Sequence, residues 1–420
     1  MIYLVSHYYP PESNPPANRF RHLAKILMDR YGQESVQVIT GRPNHPDGVL
    51  PPGFRGRLWK KRHGPNGEKV LSLWEIPAPN EGFRRKSLGF VSFSISIFFY
   101  FLFKRMKKED IIYVTSPPVF AMYVLWFLSR FKRNFRYALD IRDLMPQIVA
   151  GMGFIRDDTM LYKILLGLVH RSYHGATKIN GVVEGICEYI DGVIEPDKTS
   201  LIYNPMDTDL LRPLPDNEVQ SFRKAHPTLF GDPLKTTFLF AGSHAVYMDL
   251  IGLMKSLDLL KKETTQFLFI LIGYGEEKEH IMRFATEHGL DDVVTFLPYQ
   301  EREELVKYMC AVDFCYSSTI NAPIYQMVIP TKVLEYMACN KFVVSVHDCP
   351  FAEMLKDLGH TLLVFPERHD EIRDALLELI NKREQYLANV NTRAFIESEF
   401  SHHKFHERII AFFEELLPDA

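Results

Sequence analysis

The chain has 420 residues, 46% of them hydrophobic and 24% charged. That length predicts two or three domains, each with its own core, and the balance excludes a disordered or fibrous protein. A formal net charge of −3 argues against a basic protein committed to nucleic acid, but it conceals a split: residues 1–205 hold 28 Lys and Arg against 18 Asp and Glu, whereas the remainder holds 21 against 34. The first half is therefore +10 and the second −13. A basic half points to phosphates, nucleic acid or an anionic membrane surface as a partner.

The opening run Met1-Ile-Tyr-Leu-Val5 has no basic n-region or small-residue cleavage site, so it reads as a first strand rather than a signal peptide. Strand-length apolar runs follow at Val36–Thr40, Val70–Ile76, Ile111–Thr115, Tyr137–Ile141 and Lys178–Asn180, alternating with longer amphipathic stretches. The Gly and Pro punctuation between Gly41 and Gly67 predicts a long mobile loop. A second alternating set begins after Asn204-Pro205 with Thr237–Ala241, Phe267–Ile272, Val293–Phe296, Val312–Tyr316 and Phe342–Val346. From Glu371 onward the chain reads as helical, ending in an amphipathic stretch from Lys404 to Leu417.

This alternation predicts an α/β protein built of two doubly wound parallel-sheet domains, residues 1–205 and 206–401, with a helix at about 402–420 returning to the first. Two such domains imply a cleft, with ligands at the carboxyl ends of the strands. The five cysteines, Cys187, Cys310, Cys315, Cys339 and Cys349, have no CxxC spacing. They read as reduced, mostly buried thiols of a cytoplasmic protein.

Residues 87–103, SLGFVSFSISIFFYFLF, carry no charge and are bordered by Arg84-Arg85-Lys86 and by Lys104, Arg105, Lys107 and Lys108. A buried crossover helix and a short membrane span are both open readings. The basic borders favour a third, an interfacial helix over about 84–108 lying on anionic lipid. Arg55, Arg57, Lys60, Lys61 and Arg62, interleaved with Phe54, Leu58 and Trp59, fit the same membrane-facing side.

Several segments carry candidate chemistry. The first strand leads into Asn14-Pro15-Pro16, a rigid turn into a helix that can act as a ligand loop or a stiff connector. His45 lies in Thr40-Gly-Arg-Pro-Asn-His-Pro-Asp-Gly48 after the second strand, and Asp143 lies just beyond the strand Tyr137–Ile141, beside Arg142. In Ile329-Pro330-Thr331-Lys332-Val-Leu-Glu335, Pro330 opens a helix whose free N–H groups suit a diphosphate. Lys332 there opposes the macrodipole unless an anion joins it, and Glu335 one turn on can accept two ribose hydroxyls. Gly242 and Gly273 follow strands and allow close backbone approach. His402, His403 and His406 have helical spacing but no supporting carboxylate or Cys pattern, so no metal site is expected.

Taken in order, YYPPESNPPANR, TGRPNHPDG, SPP at Ser116–Pro118, DIRDLMP, YNPMDTDL and PTKVLEYMACNKFVV resemble family 4 glycosyltransferases of the GT-B fold, most of all the bacterial surface-polysaccharide, fucosamine transferase-like branch. The resemblance spans essentially the whole chain. It implies two Rossmann-like domains facing across a cleft, and retaining transfer of a hexosyl or N-acetylhexosaminyl group from a nucleotide sugar, commonly UDP-linked. It further implies a lipid-linked or saccharide acceptor, no metal or other cofactor, and a place on the cytoplasmic face of the membrane. Carried over by position, Gly242, Ser243, Gly273, Leu297, Pro330, Thr331, Lys332 and Glu335 would hold the donor, with Leu297 meeting the base through its main chain. Asn14, Pro15, Pro16 and His45 would face the acceptor, and Asp143 and Lys332 would be catalytic. Two departures stand out: Met327 where the family often has Glu, and Ser243, His244 and Asp249 where an Arg and Lys phosphate clamp is common. A sugar-nucleotide epimerase and a catalytically silent subunit of the same architecture remain alternatives.

Overall fold

The computed structural model describes the chain except residues 13, 46, 80–82, 117–118, 152–153, 323–328, 389 and 418–420. It divides into two compact units, Met1–Asn204 with Phe405–Ala420, and Pro205–Lys404. Each is a sheet covered by helices on both faces.

In the first unit the strands are β1 (Ile2–Ser6), β2 (Val36–Thr40), β3 (Trp59–His63), β4 (Lys69–Leu73), β5 (Ile111–Ser116), β6 (Tyr137–Ile141), β7 (Lys178–Gly181) and β8 (Thr199–Leu201). Their order is β3-β4-β2-β1-β5-β6-β7-β8. All pair in parallel except β3, which runs antiparallel to β4 with Trp59 opposite Leu73 and Lys61 opposite Leu71. β1, β5 and β6 are buried along their whole length, which is why they read as unbroken apolar runs and not as alternating ones. The mobile loop predicted for 41–67 is corrected: part of it is the edge strand β3. Its basic residues do not form one surface, because alternation sends Trp59, Lys61 and His63 outward while Lys60 sits over the Phe54 ring.

The uncharged run lies within helix α2 (Phe83–Phe103), a segment long and apolar enough to cross a membrane by length and composition. Phe93, Ile97 and Phe101, one stripe at helical spacing, are fully buried with Met122 and Leu125 of helix α3 (Val119–Ser129). Leu88, Val91, Ile95, Phe99, Leu102 and Phe103 are exposed. Contact with lipid all round is incompatible with that buried stripe, so the helix belongs to the fold and presents an apolar outer side. Its serines are tied down: Ser92 Oγ accepts from Ile76 N at 2.8 Å, and Ser96 Oγ donates to Trp74 O at 2.7 Å.

Helix α1 (Pro15–Tyr31) is capped by Asn14, whose Oδ1 accepts from Ala17 N at 2.9 Å. The prolines at its start remove N–H groups that would have had no helical partner. The C-terminal helix His402–Leu416 inserts Phe405, Ile409, Phe412, Phe413 and Leu416 among Leu4, Phe20, Leu27 and Tyr113 of the first unit.

A buried ion pair crosses this unit. Arg19 Nη2 donates to Asp140 Oδ1 at 2.9 Å, Asn180 Nδ2 donates to the same oxygen at 2.7 Å, and Arg19 also reaches Asn204. Burial alone would raise the Asp140 carboxyl, but Arg19, Arg142 and Asn180 outweigh it and hold it below the ordinary carboxylate value. The pair therefore contributes stability that is present above about pH 4 and lost as the pH falls through the depressed folded value.

The second unit contains β9 (Thr236–Ala241), β10 (Phe267–Ile272), β11 (Val294–Leu297), β12 (Phe314–Ser318), β13 (Val343–Val346) and β14 (Thr361–Val364), all parallel, in the order β11-β10-β9-β12-β13-β14. The strand order reverses between β9 and β12, the position at which doubly wound sheets bind ligands. Phe238, Phe240, Phe269, Leu271 and Tyr316 anchor its core.

Arg19→Ala strands a buried carboxylate and is expected to cost roughly 3–5 kcal/mol of stability at neutral pH. Urea unfolding measures this, and the deficit should shrink as the pH falls, closing only below the depressed wild-type value, where Asp140 is protonated in both variants.

Candidate functional site

At the carboxyl edge of the second sheet, three loops and one helix start converge. Gly242 follows β9 and Gly273 follows β10, both with φ of +146°. An added Cβ on Gly242 would lie 2.1 Å from Lys332 Cε, and one on Gly273 would lie 1.9 Å from the carbonyl oxygen of Gly242. Glycine is required at both, because the two loops and the Lys332 side chain pass within van der Waals distance of one another.

Lys332 belongs to the first turn of the helix Thr331–Ala338, with Pro330 as its N-cap residue. The earliest N–H groups bonded within it are those of Val333 and Leu334, both to Pro330 O. The N–H groups of Thr331 and Lys332 are left without helical partners. Folding back over Gly242, the Lys332 amine lies 3.3 Å from Met248 Sδ and 5.5 Å from the centre of the Phe240 ring. Among the described residues no carboxylate lies within ion-pair distance of it. Burial lowers its pKa, with Glu335 opposing. Glu335 is raised by burial against the pull of Arg302 and Lys332, and it pairs with Arg302 at 3.0 Å.

Around this amine sit groups that the sequence did not single out for chemistry. His244, fully buried, has no hydrogen-bond partner on either ring nitrogen among the described residues. Burial, aided by Lys278 and Lys332, pushes its pKa down to about 4. His347, at the end of β13, is held to about 3 by burial and Lys332, and its ring bonds Thr319 Oγ1 at 3.1 Å and Ser317 Oγ at 3.0 Å. Both imidazoles are therefore neutral at pH 7. Lys278 donates to Gly273 O at 2.8 Å and to Leu297 O at 3.1 Å, fixing the two loops to each other.

The structure thus brings Gly242, Gly273, Leu297, Lys332 and the helix start Pro330-Thr331 to one edge, with Glu335 one turn further and Ser243 exposed beside Gly242. One expectation changes in detail. The Leu297 carbonyl already accepts from Lys278 and from Gly273 N–H at 3.4 Å, so it is engaged within the chain. Asp249, one of the residues standing where the phosphate clamp is common, is the left-handed N-cap of the helix Leu250–Glu263, accepting from Gly252 N. Met327 lies outside the described residues. A buried amine beside two helix N–H groups without helical partners and two strand-end glycines can hold a diphosphate, and the described residues contain no group of three or more His, Cys, Asp and Glu able to hold a metal ion.

In the first unit, the carboxyl ends of β1, β2 and β4 hold a second polar cluster. His7 Nε2 lies 2.6 Å from Glu75 Oε2, and Asn44 Nδ2 donates to Glu75 Oε1 at 2.5 Å. Arg42 donates to the Glu75 carbonyl. Glu12 Oε1 accepts from the N–H groups of Asn44 and His45 at 2.9 Å each, and burial raises its carboxyl despite those bonds. A small pocket is lined by His7, Tyr8, Asn44, His45 and Lys86. Of the predicted acceptor residues, His45 is in this pocket, with its pKa lowered by burial, Lys86 and His7. Asn14 caps a helix, its oxygen bonded to Ala17 N, with Pro15 and Pro16 in the first turn of α1. Asp143 is half-buried after β6, raised by burial against Arg142. The signal for Glu75 was an acidic residue closing an apolar strand. For His7 it was a polar residue immediately after one.

Comparison with known proteins fits the fold. Residues 226–414 match the family model described as glycosyl transferases group 1. The chain is 22% identical over 251 residues to the probable glycosyltransferase WbjE of Pseudomonas aeruginosa, covering 58% of this chain and 59% of that protein. It is 25% identical over 161 residues to the amylovoran biosynthesis glycosyltransferase AmsK of Erwinia amylovora, covering 38% and 39%. The chain thus aligns with only part of the length of these curated relatives. Among solved structures, Alr3699/HepE of Anabaena in complex with UDP superposes with a TM-score of 0.68 at 15% identity, over 99% of each chain. The fold is that of the GT-B glycosyltransferases.

Gly273→Ala places a methyl group against the Gly242 backbone, which has nowhere to move, and is expected to destabilise the protein by roughly 1–3 kcal/mol. A thermal unfolding midpoint equal to wild type would show that the two loops do not cross this closely.

Proposed function

We propose that the protein transfers a sugar from a nucleotide-sugar donor, UDP-linked, to a lipid-linked or saccharide acceptor in surface-polysaccharide biosynthesis, with retention at the anomeric carbon. The observation that carries this reading is the buried Lys332 amine, without a described carboxylate partner, folded over Gly242 at the switch point of a sheet within the region matching glycosyl transferases group 1. The HepE structure of the same fold is a complex with UDP, and the name of AmsK refers to amylovoran biosynthesis.

In this reading the Thr331 and Lys332 N–H groups and the Lys332 amine hold the diphosphate, and Glu335 turns to the ribose hydroxyls. As the bond from the anomeric carbon to the phosphate oxygen breaks, charge develops on the leaving diphosphate, and these fixed donors stabilise it. The acceptor oxygen bonds the anomeric carbon on the same face, and its proton passes to the leaving phosphate oxygen. Neutral His244 and His347 beside Lys332 leave its charge uncompeted, and no metal or cofactor has a role. His7, Glu75 and His45 line the acceptor site in the first unit. The exposed apolar side of α2, with its basic borders, supports a peripheral position on the cytoplasmic face of an anionic membrane.

Lys332→Met is expected to lower kcat about 10²–10³-fold, to abolish the rise in thermal midpoint produced by UDP, and to raise the midpoint of the unliganded protein, because an unpaired buried cation is removed. Glu335→Gln should weaken donor binding with a smaller effect on kcat. UDP release with a lipid-diphosphate sugar acceptor, against donor alone, checks these, and wild-type turnover in both variants would overturn the site. Activity should survive EDTA; its loss and recovery on adding a divalent cation would overturn the metal-free reading.

A further inference from the structure

We propose that Tyr274 and Tyr299 form an aromatic platform on which the base of the donor nucleotide stacks. This rests on the reading of the second-unit site as a nucleotide-sugar site, and it names what holds the donor beyond its diphosphate.

The two side chains stand out by exposure. Tyr274 directly follows Gly273 at the end of β10, and Tyr299 lies just beyond Leu297 at the end of β11. Tyr274 is 69% exposed and Tyr299 54%, and their ring centroids lie 5.9 Å apart with 69° between the planes. One ring therefore braces the other edge-on, an arrangement that leaves aromatic face open to a ligand. The backbone beneath is fixed. Lys278 ties Gly273 O to Leu297 O, and His244 N donates to Tyr274 O at 2.8 Å. Both loops are thus held in place before any ligand arrives, which lowers the ordering cost of binding.

Position selects the occupant. Lys332 lies over Gly242, and the Gly242 carbonyl lies against Gly273, the residue before Tyr274. From Tyr299 the chain enters the helix Arg302–Ala311, and Arg302 Nη2 donates to Glu335 Oε1 at 3.0 Å. Glu335 in turn stands one turn from Lys332 on its own helix. These contacts close a circuit round the site. A nucleoside diphosphate has the matching order of phosphate, ribose and base, so with the diphosphate at Lys332 and the ribose at Glu335 the base falls between the loops of Tyr274 and Tyr299. The transferred sugar is joined to the opposite end of the diphosphate, so connectivity makes the base and not the sugar their partner. Chemistry agrees. The Leu297 carbonyl is already taken by Lys278 and Gly273 N–H, whereas a flat heteroaromatic base presents faces that stack on tyrosine whatever its edges do.

The test is isothermal titration of the whole chain with UDP, dihydrouridine diphosphate and inorganic pyrophosphate. Dihydrouracil keeps the hydrogen-bonding edge of uracil, but its ring is puckered and not aromatic, so it separates stacking from edge recognition. The wild type should bind UDP about tenfold tighter than dihydrouridine diphosphate. Tyr274→Ala and Tyr299→Ala should each weaken UDP binding about tenfold and leave pyrophosphate binding unchanged. Tyr274→Phe and Tyr299→Phe, which keep the rings, should bind UDP as the wild type does. Circular dichroism and thermal unfolding confirm that the variants are folded. The three tryptophans, Trp59, Trp74 and Trp126, all belong to the first unit, so Tyr299→Trp supplies a reporter whose fluorescence UDP should quench and pyrophosphate should not.

Equal affinity of the wild type for UDP and dihydrouridine diphosphate, or wild-type UDP affinity in both alanine variants, would overturn the proposal. Loss of UDP binding in the phenylalanine variants would also overturn it, by assigning the contact to the hydroxyls. Loss of pyrophosphate binding in the alanine variants would do the same, by tracing the effect to the diphosphate site. Tyrosine-dependent UDP binding without UDP release from a UDP-sugar on any acceptor would remove the transfer reading and keep the platform. Transfer with wild-type donor KM in both alanine variants would do the reverse.

Discussion

A parallel sheet covered on both faces has only its ends free for chemistry, and this constraint organises both units. Strands such as β5, β9 and β10 are buried at every residue, so polar groups collect where the strands stop. His7, Glu75 and Asn44 do so in the first unit, and Gly242, Gly273, His347 and Lys332 in the second. Burying such groups requires partners, and the first cluster supplies most of its own: His7 Nε2 lies beside Glu75, Asn44 donates to Glu75, and Glu12 takes the N–H groups of Asn44 and His45, while His7 Nδ1 has no hydrogen-bond partner among the described residues. The second supplies fewer. Lys332 faces sulfur and an aromatic ring, and among the described residues neither ring nitrogen of His244 has a hydrogen-bond partner. An incomplete network of this kind is costly unless a ligand completes it.

Much of this was legible in the sequence because parallel strands announce themselves. The runs Ile2–Ser6, Phe267–Ile272 and Phe342–Val346 contain no alternation to confuse with a helix, and the strand ends are marked by glycine or by a polar residue. β3 was not legible, since an edge strand reading Trp-Lys-Lys-Arg-His has no apolar periodicity; its pairing with β4 decides its conformation. β14 was missed for a different reason, its brevity, with only Thr361–Val364 between turn residues. At the site, the placement of Lys332 and Glu335 on one helix start followed from their spacing. That Lys332 crosses Gly242 did not, because a contact across 90 residues of chain leaves no local pattern. The capping role of Asn14 was equally hidden: Asn before Pro-Pro suits a ligand loop and a helix N-terminus alike, and only the bond to Ala17 N separates them.

The charge split acquires a local meaning. The second half of the chain is acidic overall, yet the groups gathered at its strand ends include Lys278, Lys332 and two uncharged imidazoles, with Glu335 as the carboxylate acting on Lys332. At physiological ionic strength the Debye length is about 8 Å, so the distant surface carboxylates are screened and the few buried donors set the potential an anion meets. Net charge thus describes the exterior of this unit and says little about its site.

Two hydroxyl groups settle the fate of α2. By composition the segment is one that a bilayer would dissolve, but Ser92 and Ser96, one helical turn apart, bond the backbone at Ile76 and Trp74 beyond the end of β4. Inside hydrocarbon those backbone groups would lose partners that lipid cannot replace. The same two serines that make the run look like an imperfect membrane span are moorings: they let a lipid-soluble helix remain at the protein's edge, where it can meet a membrane without being lost into it.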